Sequence, residues 1–192
     1  MKKANFKDIF IPTISLFLIC LVITAALALT NWVTAEKIAE NEAQKKTESM
    51  QTVVPDATDF EDKSTEDAEV FAGLDASGNL VGYAISAATT GYGGQVKVMT
   101  GIDTEGNIIG VDVFYNDDET PGLGKNTSNE DFTSQYQGLS ANEDIVVSKD
   151  SASGNAQTVD AVTSATISSR AVTKAVDEAL SIYREIQTKE GE

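Results

Sequence analysis

"GLDASGNLVGYAI" (residues 73–85) and "GIDTEGNIIGVDV" (residues 101–113) decide the fold of this chain. They align without a gap at an offset of 28 residues and share Gly, Asp, Gly, Asn and Gly at matching places. In each, apolar residues alternate on both sides of an Asp-x-x-Gly-Asn centre. That is the pattern of a β-hairpin whose glycine takes a positive-φ turn position. Two such hairpins predict an antiparallel sheet of at least four strands. Asp75 and Asp103 are expected as turn residues, since too few other oxygen ligands cluster around them to hold calcium.

Between the hairpins lies "TTGYGGQVKV" (residues 89–98), in which Gly91, Gly93 and Gly94 either turn a corner or let the backbone approach something closely. The corner is the expectation. Beyond the second hairpin comes "NDDETPGLGKN" (residues 116–126). Pro121 and Gly122 suit the two central positions of a type II turn, and Gly124 removes a further side chain, so this loop offers bare peptide groups. Ser128 is expected to cap a short helix that carries Phe132 and Tyr136 at i, i+4 and ends at Gly138. Residues 145–148 are a strand candidate and "SASGN" (residues 151–155) a loop. From Val172, the residues Val176, Leu180 and Tyr183, with Ala175 and Ala179, recur at helical spacing as far as Ile186. Such an apolar face predicts a C-terminal helix packed on the sheet, hence an α+β domain.

Upstream of the hairpins the character changes. Residues 9–35 contain no charged side chain and are rich in Ile, Leu, Val, Phe and Ala. As a helix they reach roughly 40 Å, more than the roughly 30 Å of a bilayer core. A cleaved signal peptide is the alternative, with Lys2, Lys3 and Lys7 as its basic front and Ala26-Leu27-Ala28 as a small-residue cleavage site. The length of the apolar run favours an uncleaved anchor. Cys20 follows the bulky Ile19, which argues against lipid attachment, and is expected as an ordinary apolar membrane residue. The three lysines before the span place the N-terminus in the cytoplasm. After Trp32, residues 34–54 are good helix formers with a weak apolar stripe, a solvated stalk that Pro55 stops. The expected organisation is residues 1–8 cytoplasmic, 9–32 a transmembrane helix, 33–66 stalk and linker, and 67–192 an extracytoplasmic domain.

Beyond residue 30 the chain holds 29 Asp and Glu against 11 Lys and Arg, a net charge of −18. Nucleic acid and anionic lipid surfaces would be repelled. There is no His in the chain, and the single Cys lies in the apolar segment. His-ligated haem, structural zinc, iron–sulfur clusters and Cys or His catalysis therefore lack ligands or bases in the exported part. Whatever chemistry the exported part does needs another source.

"VDAVTSATISSRAV" (residues 159–172) crowds Thr163, Ser164, Thr166, Ser168 and Ser169 around the start of the C-terminal helix. One hydroxyl suffices as a cap. A helix N-terminus with several hydroxyl donors can also bind a phosphate. Nucleophilic catalysis by Thr166 lacks a base, since Lys174 lies two turns along.

"DAVTSATISSRAV" resembles the attachment motif of the extracytoplasmic FMN-binding domain family. There a Thr after small residues, commonly [S/T]-G-A-T, is esterified through the FMN phosphate by a dedicated flavin transferase. The matching residue is Thr166, with Thr163, Ser164, Ala165 and Ser168 around it; Ser164 stands where the family usually has Gly. "ETPGLG" (residues 119–124) resembles the family's second signature, a loop whose backbone lies against the flavin, and implies Glu119, Thr120, Gly122, Leu123 and Gly124 as further binding residues. The order of span, stalk, hairpins, ETPGLG and terminal motif is similar to G subunits of Rnf electron-transport complexes. The resemblance implies a single N-terminal transmembrane helix followed by an antiparallel-sheet domain carrying covalent FMN. It also implies electron transfer within a membrane complex that couples ferredoxin and NAD to ion translocation, with other membrane subunits and a flavin transferase as partners. The C subunit of the sodium-translocating NADH:quinone reductase shares the domain and is the alternative, as is a stand-alone extracellular flavin carrier. A membrane-tethered sensor or scaffold with a merely capped helix is the non-redox alternative.

Overall fold

A computed structural model describes residues 6–65, 68–148 and 157–190; the loop expected at 151–155 lies outside them. The chain divides into two compact units, Met1–Gln44 and Lys45–Glu192.

The first unit is helical. Helix α1 runs Phe6–Val53, and its apolar window is wholly exposed. Large side chains such as Leu16, Val22 and Leu27 find no protein partner surface there, an arrangement that suits lipid rather than water. The hydroxyls of Thr30 and Thr34 donate back to the carbonyls of Ala26 and Thr30, both at 2.9 Å. These two hydroxyls at the end of the apolar segment are thereby satisfied within the helix.

In the second unit, strands β1 (Asp59–Asp62), β2 (Glu69–Leu74), β3 (Leu80–Thr90), β4 (Gln95–Asp103) and β5 (Ile108–Tyr115) form one antiparallel sheet in chain order. The repeat supplies β2–β3 and β4–β5. Each Asp serves its own turn: Asp75 Oδ1 accepts from the amides of Ser77 and Asn79, and Asp103 Oδ1 from those of Glu105 and Asn107. Gly78 and Gly106 take φ of 83° and 86°, the left-handed values the turn requires.

The two faces of the sheet are covered differently. On one side, Met50, Val53, Val54 and Ala57 pack with Ala84 and Met99. A Cβ at Gly101 would fall on the Val53 carbonyl, and one at Gly73 would press on Ala57. The leading glycine of each repeat therefore lets the end of α1 and its exit segment lie on the strands. On the other side, helix α3 (Thr166–Glu190) buries Val172, Ala175, Val176, Ala179, Leu180 and Tyr183 against Tyr83, Ile85, Val98 and Ile102. The main core, and the orientation of α3, come from this apolar face.

Several findings differ from the sequence expectation. Strand β1 falls in the segment 33–66, expected as stalk and linker, and pairs with β2 because the chain reverses after Ala57, whose amide donates to Val54 O. Ser128 does not cap a helix. It ends a 3-10 turn, Gly124–Ser128, and donates to Lys125 O, while helix α2 (Glu130–Thr133) follows Asn129. Strand β6 (Ile145–Ser148) pairs in parallel with β7 (Gln157–Asp160), a strand too short and polar for periodicity to mark. The helix expected to run to Gly138 stops at Thr133, and Tyr136 falls in a separate 3-10 turn, Ser134–Tyr136; Phe132 and Tyr136 are both buried, with ring centroids 5.6 Å apart.

Asp177 ties β6 to α3 by accepting from the Ile145 amide at 3.2 Å. Burial pushes its carboxyl above the ordinary value of 3.8, and Asp144 adds to this, although the Ile145 amide and Arg184 pull the other way. A carboxyl raised in the folded state costs stability when ionised. That cost is fully present above the folded value and disappears below the unfolded one. Asp177→Asn keeps an acceptor for Ile145 and removes the charge, so it is expected to raise the melting temperature at pH 7. Thermal melts across pH should show the gain vanishing as pH falls toward 3.8.

Candidate functional site

The hydroxyl-rich motif folds as a tight turn feeding a helix. Val159 is buried in β7, the Ala165 amide donates to Val162 O at 2.9 Å, and Ser164 takes φ 62°, the one positive-φ non-Gly residue among those described. A left-handed Ser costs on the order of 1 kcal/mol; glycine would adopt this conformation freely. The departure from the usual Gly thus falls where the backbone most favours it, and the turn forms nonetheless. It is held by Ser169. This buried hydroxyl donates to Ala165 O at 3.0 Å and accepts from the Val162 amide at 3.0 Å, while the Ser169 amide donates to Ala165 O.

Helix α3 begins at Thr166. Among the described residues the amides of Thr166, Ile167 and Ser168 have no acceptor, so three donors and the positive end of a long helix dipole point outward together. The hydroxyls have separate fates. Ser168 is buried and donates to Glu119 Oε2 at 2.9 Å, and Ser169 is consumed by the turn. Thr166 Oγ1 has no partner among the described residues, and its side chain is half-buried.

The 119–124 loop meets this helix through Glu119. Its carboxylate is 2% exposed. Besides Ser168, it accepts from the amides of Tyr92 at 2.7 Å and Gly93 at 3.3 Å. Pro121 and Gly122 form the expected turn, with the Leu123 amide on Thr120 O at 3.1 Å and Gly122 at φ 77°. The glycines of the 91–94 corner do more than turn. A Cβ at Gly91 would fall on Glu119 Oε1, one at Gly93 on the Asp118 carbonyl, and one at Gly124 on Glu119 Oε2. Close approach, the less expected of the two readings for Gly91 and Gly93, is what these positions provide, together with a corner closed by the Gly91 amide on Gly94 O at 2.8 Å.

These segments enclose a cavity of about 440 Å³ lined by Tyr92, Glu119, Thr120, Leu123, Gly124, Ser164, Ala165, Thr166, Ile167 and Ser168. The volume suits an organic ligand, for which roughly 300–1,000 Å³ is usual. Its rim is apolar. Tyr92, Leu123 and Ile167 are 72%, 40% and 55% exposed, and they are three of the five large apolar side chains left exposed among the described residues of the second unit, Leu80 and Val146 being the others. Thr163 is placed elsewhere, on a separate cavity with Asn126, Asn129 and Gln135. Gly122 sits at the loop apex and does not line the site; a side chain there would meet nothing within 4 Å. Tyr92 and Ile167 escape a reading of the sequence. The glycines flanking Tyr92 are a signal for it, whereas Ile167 is indistinguishable from a core residue until the face of α3 is known.

Free helix amides suit a phosphate, an unengaged hydroxyl beside them suits its attachment, and an apolar rim suits a flat heteroaromatic ring. The donor set and the cavity fit flavin mononucleotide. Residues 91–181 match the FMN-binding domain family, and residues 1–53 match the RnfG N-terminal region. The fold and cavity define an FMN-binding domain. Among solved structures, the chain is similar to the C subunit of the Na(+)-translocating NADH-quinone reductase from Parabacteroides distasonis, with a TM-score of 0.53, 27% identity and 60% of each chain covered. Shewanella oneidensis NqrC shares the fold at a TM-score of 0.50 and 22% identity, covering 67% of each chain. Over nearly its whole length the chain is 36% identical to the G subunit of the Na(+)-translocating ferredoxin:NAD(+) oxidoreductase complex of Acetobacterium woodii, covering 96% of both chains. It is 30% identical to the G subunit of the proton-translocating ferredoxin:NAD(+) oxidoreductase complex of Clostridium ljungdahlii, covering 93% of this chain and 94% of the relative. The chain belongs to the family of G subunits of these ion-translocating oxidoreductase complexes.

Proposed function

We propose that this chain is the flavin-carrying, electron-transferring subunit of a membrane-bound ion-translocating ferredoxin:NAD oxidoreductase complex, with FMN joined through its phosphate to Thr166. The observation that carries the reading is the free Thr166 hydroxyl beside three unengaged helix amides at the wall of the cavity. FMN, when bound, supplies the electron-accepting chemistry that a domain without His or Cys ligands lacks. The amides of Thr166, Ile167 and Ser168 hold the phosphate, offsetting the repulsion of a strongly acidic domain. Tyr92, Leu123 and Ile167 cover the ring and exclude water. An ester at Thr166 removes any need for high non-covalent affinity, which matters where a lost cofactor would diffuse away.

The N-terminus lies in the cytoplasm and the folded unit outside, from the lysines at positions 2, 3 and 7 ahead of the apolar segment. That segment carries no charged group between residues 9 and 35, so ion conduction falls to other membrane subunits. A flavin transferase installs the cofactor. The C subunit of the quinone reductase is the second reading, favoured only by the structural likeness of the flavin domain. The match of residues 1–53 and the full-length relatives weigh for the ferredoxin-linked complex. The test is intact-mass measurement of the protein extracted from membranes of its own host. An added mass of FMN less one water, with yellow fluorescence surviving a denaturing gel, is expected; unmodified protein refutes covalent attachment.

A further inference from the structure

Glu119 is the one buried acidic side chain among the described residues. No cation is paired with it among the described residues, and Lys45 and Lys125 both lie against Asp117. Its bonds are two backbone amides and one hydroxyl, and Gly91 and Gly124 leave its two oxygens the room they occupy. A glutamine would satisfy the same three groups without the desolvation cost of a buried carboxylate. Crosslinking the corner, the loop and α3 therefore does not by itself call for a charge. The position does offer a use for one, because Glu119 also forms part of the cavity wall.

We propose that the Glu119 carboxylate is a potential-setting residue: its buried charge at the cavity wall, hydrogen-bonded but paired with no cation among the described residues, holds the reduction potential of the bound flavin below the value a neutral side chain would give. The inference rests on the flavin reading above. Two-electron reduction takes two electrons from an external reductant and one proton from solvent, leaving the flavin one unit more negative. An adjacent buried negative charge opposes that gain, and charge near the ring is one of the levers by which a protein tunes a flavin.

The experiment is a spectroelectrochemical titration, with redox mediators, of the full flavin-loaded chain purified from its host. In Glu119→Gln the side-chain oxygen accepts from Tyr92 and Gly93, and the amide donates to Ser168 Oγ. Its midpoint is expected to move positive by at least a tenfold change in the redox equilibrium, about 30 mV for a two-electron couple. Ser168→Ala strips one donor from the carboxylate and is expected to move the midpoint the opposite way. An unshifted or negatively shifted Glu119→Gln protein overturns the proposal, as does loss of flavin from both variants, which would make Glu119 a structural crosslink alone. Absence of a flavin mass on the unaltered chain is seen before any titration and overturns the covalent-attachment reading.

Discussion

Thr166→Ala, produced in a host that carries the flavin transferase, is expected to show no covalently held flavin: no fluorescent band on a denaturing gel and an intact mass equal to the bare polypeptide. The effect is all or none because the variant removes the oxygen on which the proposed ester is built, whereas loss of one hydrogen-bonding hydroxyl would merely weaken binding. The fold should be indifferent. Thr166 Oγ1 bonds to nothing among the described residues, and alanine is a better helix former, so a stability change within about 0.5 kcal/mol is expected from thermal melts. Thr166→Ser keeps the oxygen and should retain modification. A modified Thr166→Ala protein would move the attachment to another hydroxyl on the cavity, of which those of Thr120 and Ser164 have no partner among the described residues.

Gly93→Val is expected to have the next largest effect, through packing rather than chemistry. Its Cβ would fall on the Asp118 carbonyl, and backbone cannot rotate out of the way as a side chain can. The corner and the 118–119 segment must separate, which also takes the Tyr92 and Gly93 amides from Glu119. Overpacking of this kind costs about 1–3 kcal/mol, and each kcal/mol lowers the melting temperature by roughly 2–4 °C in a domain of this size. Flavin content should fall with it, because Tyr92 and Glu119 both line the cavity. Gly78→Ala is the matched control. Its turn needs φ 83° but a Cβ there meets nothing within 4 Å, so it should lose stability while keeping its flavin. Equal flavin loss in the two variants would show that loading follows global stability and not the fit of the corner to the loop.

The contrast between these glycines marks how far local pattern carries. Gly78 and Gly106 are legible because an Asp-x-x-Gly-Asn turn draws its hydrogen bonds from its own five residues, so spacing alone implies geometry. Gly91 and Gly93 look like a plain corner because their constraint comes from residues 118 and 119, far along the chain. Ser128 has the local signature of a cap, Ser before an acidic helix start, and the 3-10 turn that claims its hydroxyl is invisible to that signature. Strand β7 goes unmarked because four residues of mixed polarity carry no periodicity; its pairing with β6 supplies the order.

The sequence by itself determined the paired hairpins, the apolar face that seats the C-terminal helix, the uncharged N-terminal segment and the place of Thr166 at a helix start. Each depends on neighbours within a few residues, and short-range periodicity encodes such things directly. Only the tertiary structure decided which hydroxyls of the cluster are engaged. Ser168 is taken by a carboxylate 49 positions earlier in the chain and Ser169 by its own turn, while Tyr92 is brought to the rim by an amide bond to Glu119 across 27 positions. Burial turns those distant pairings into obligations, since a buried polar group without a partner is costly, and no spacing in the chain announces which partner it will find.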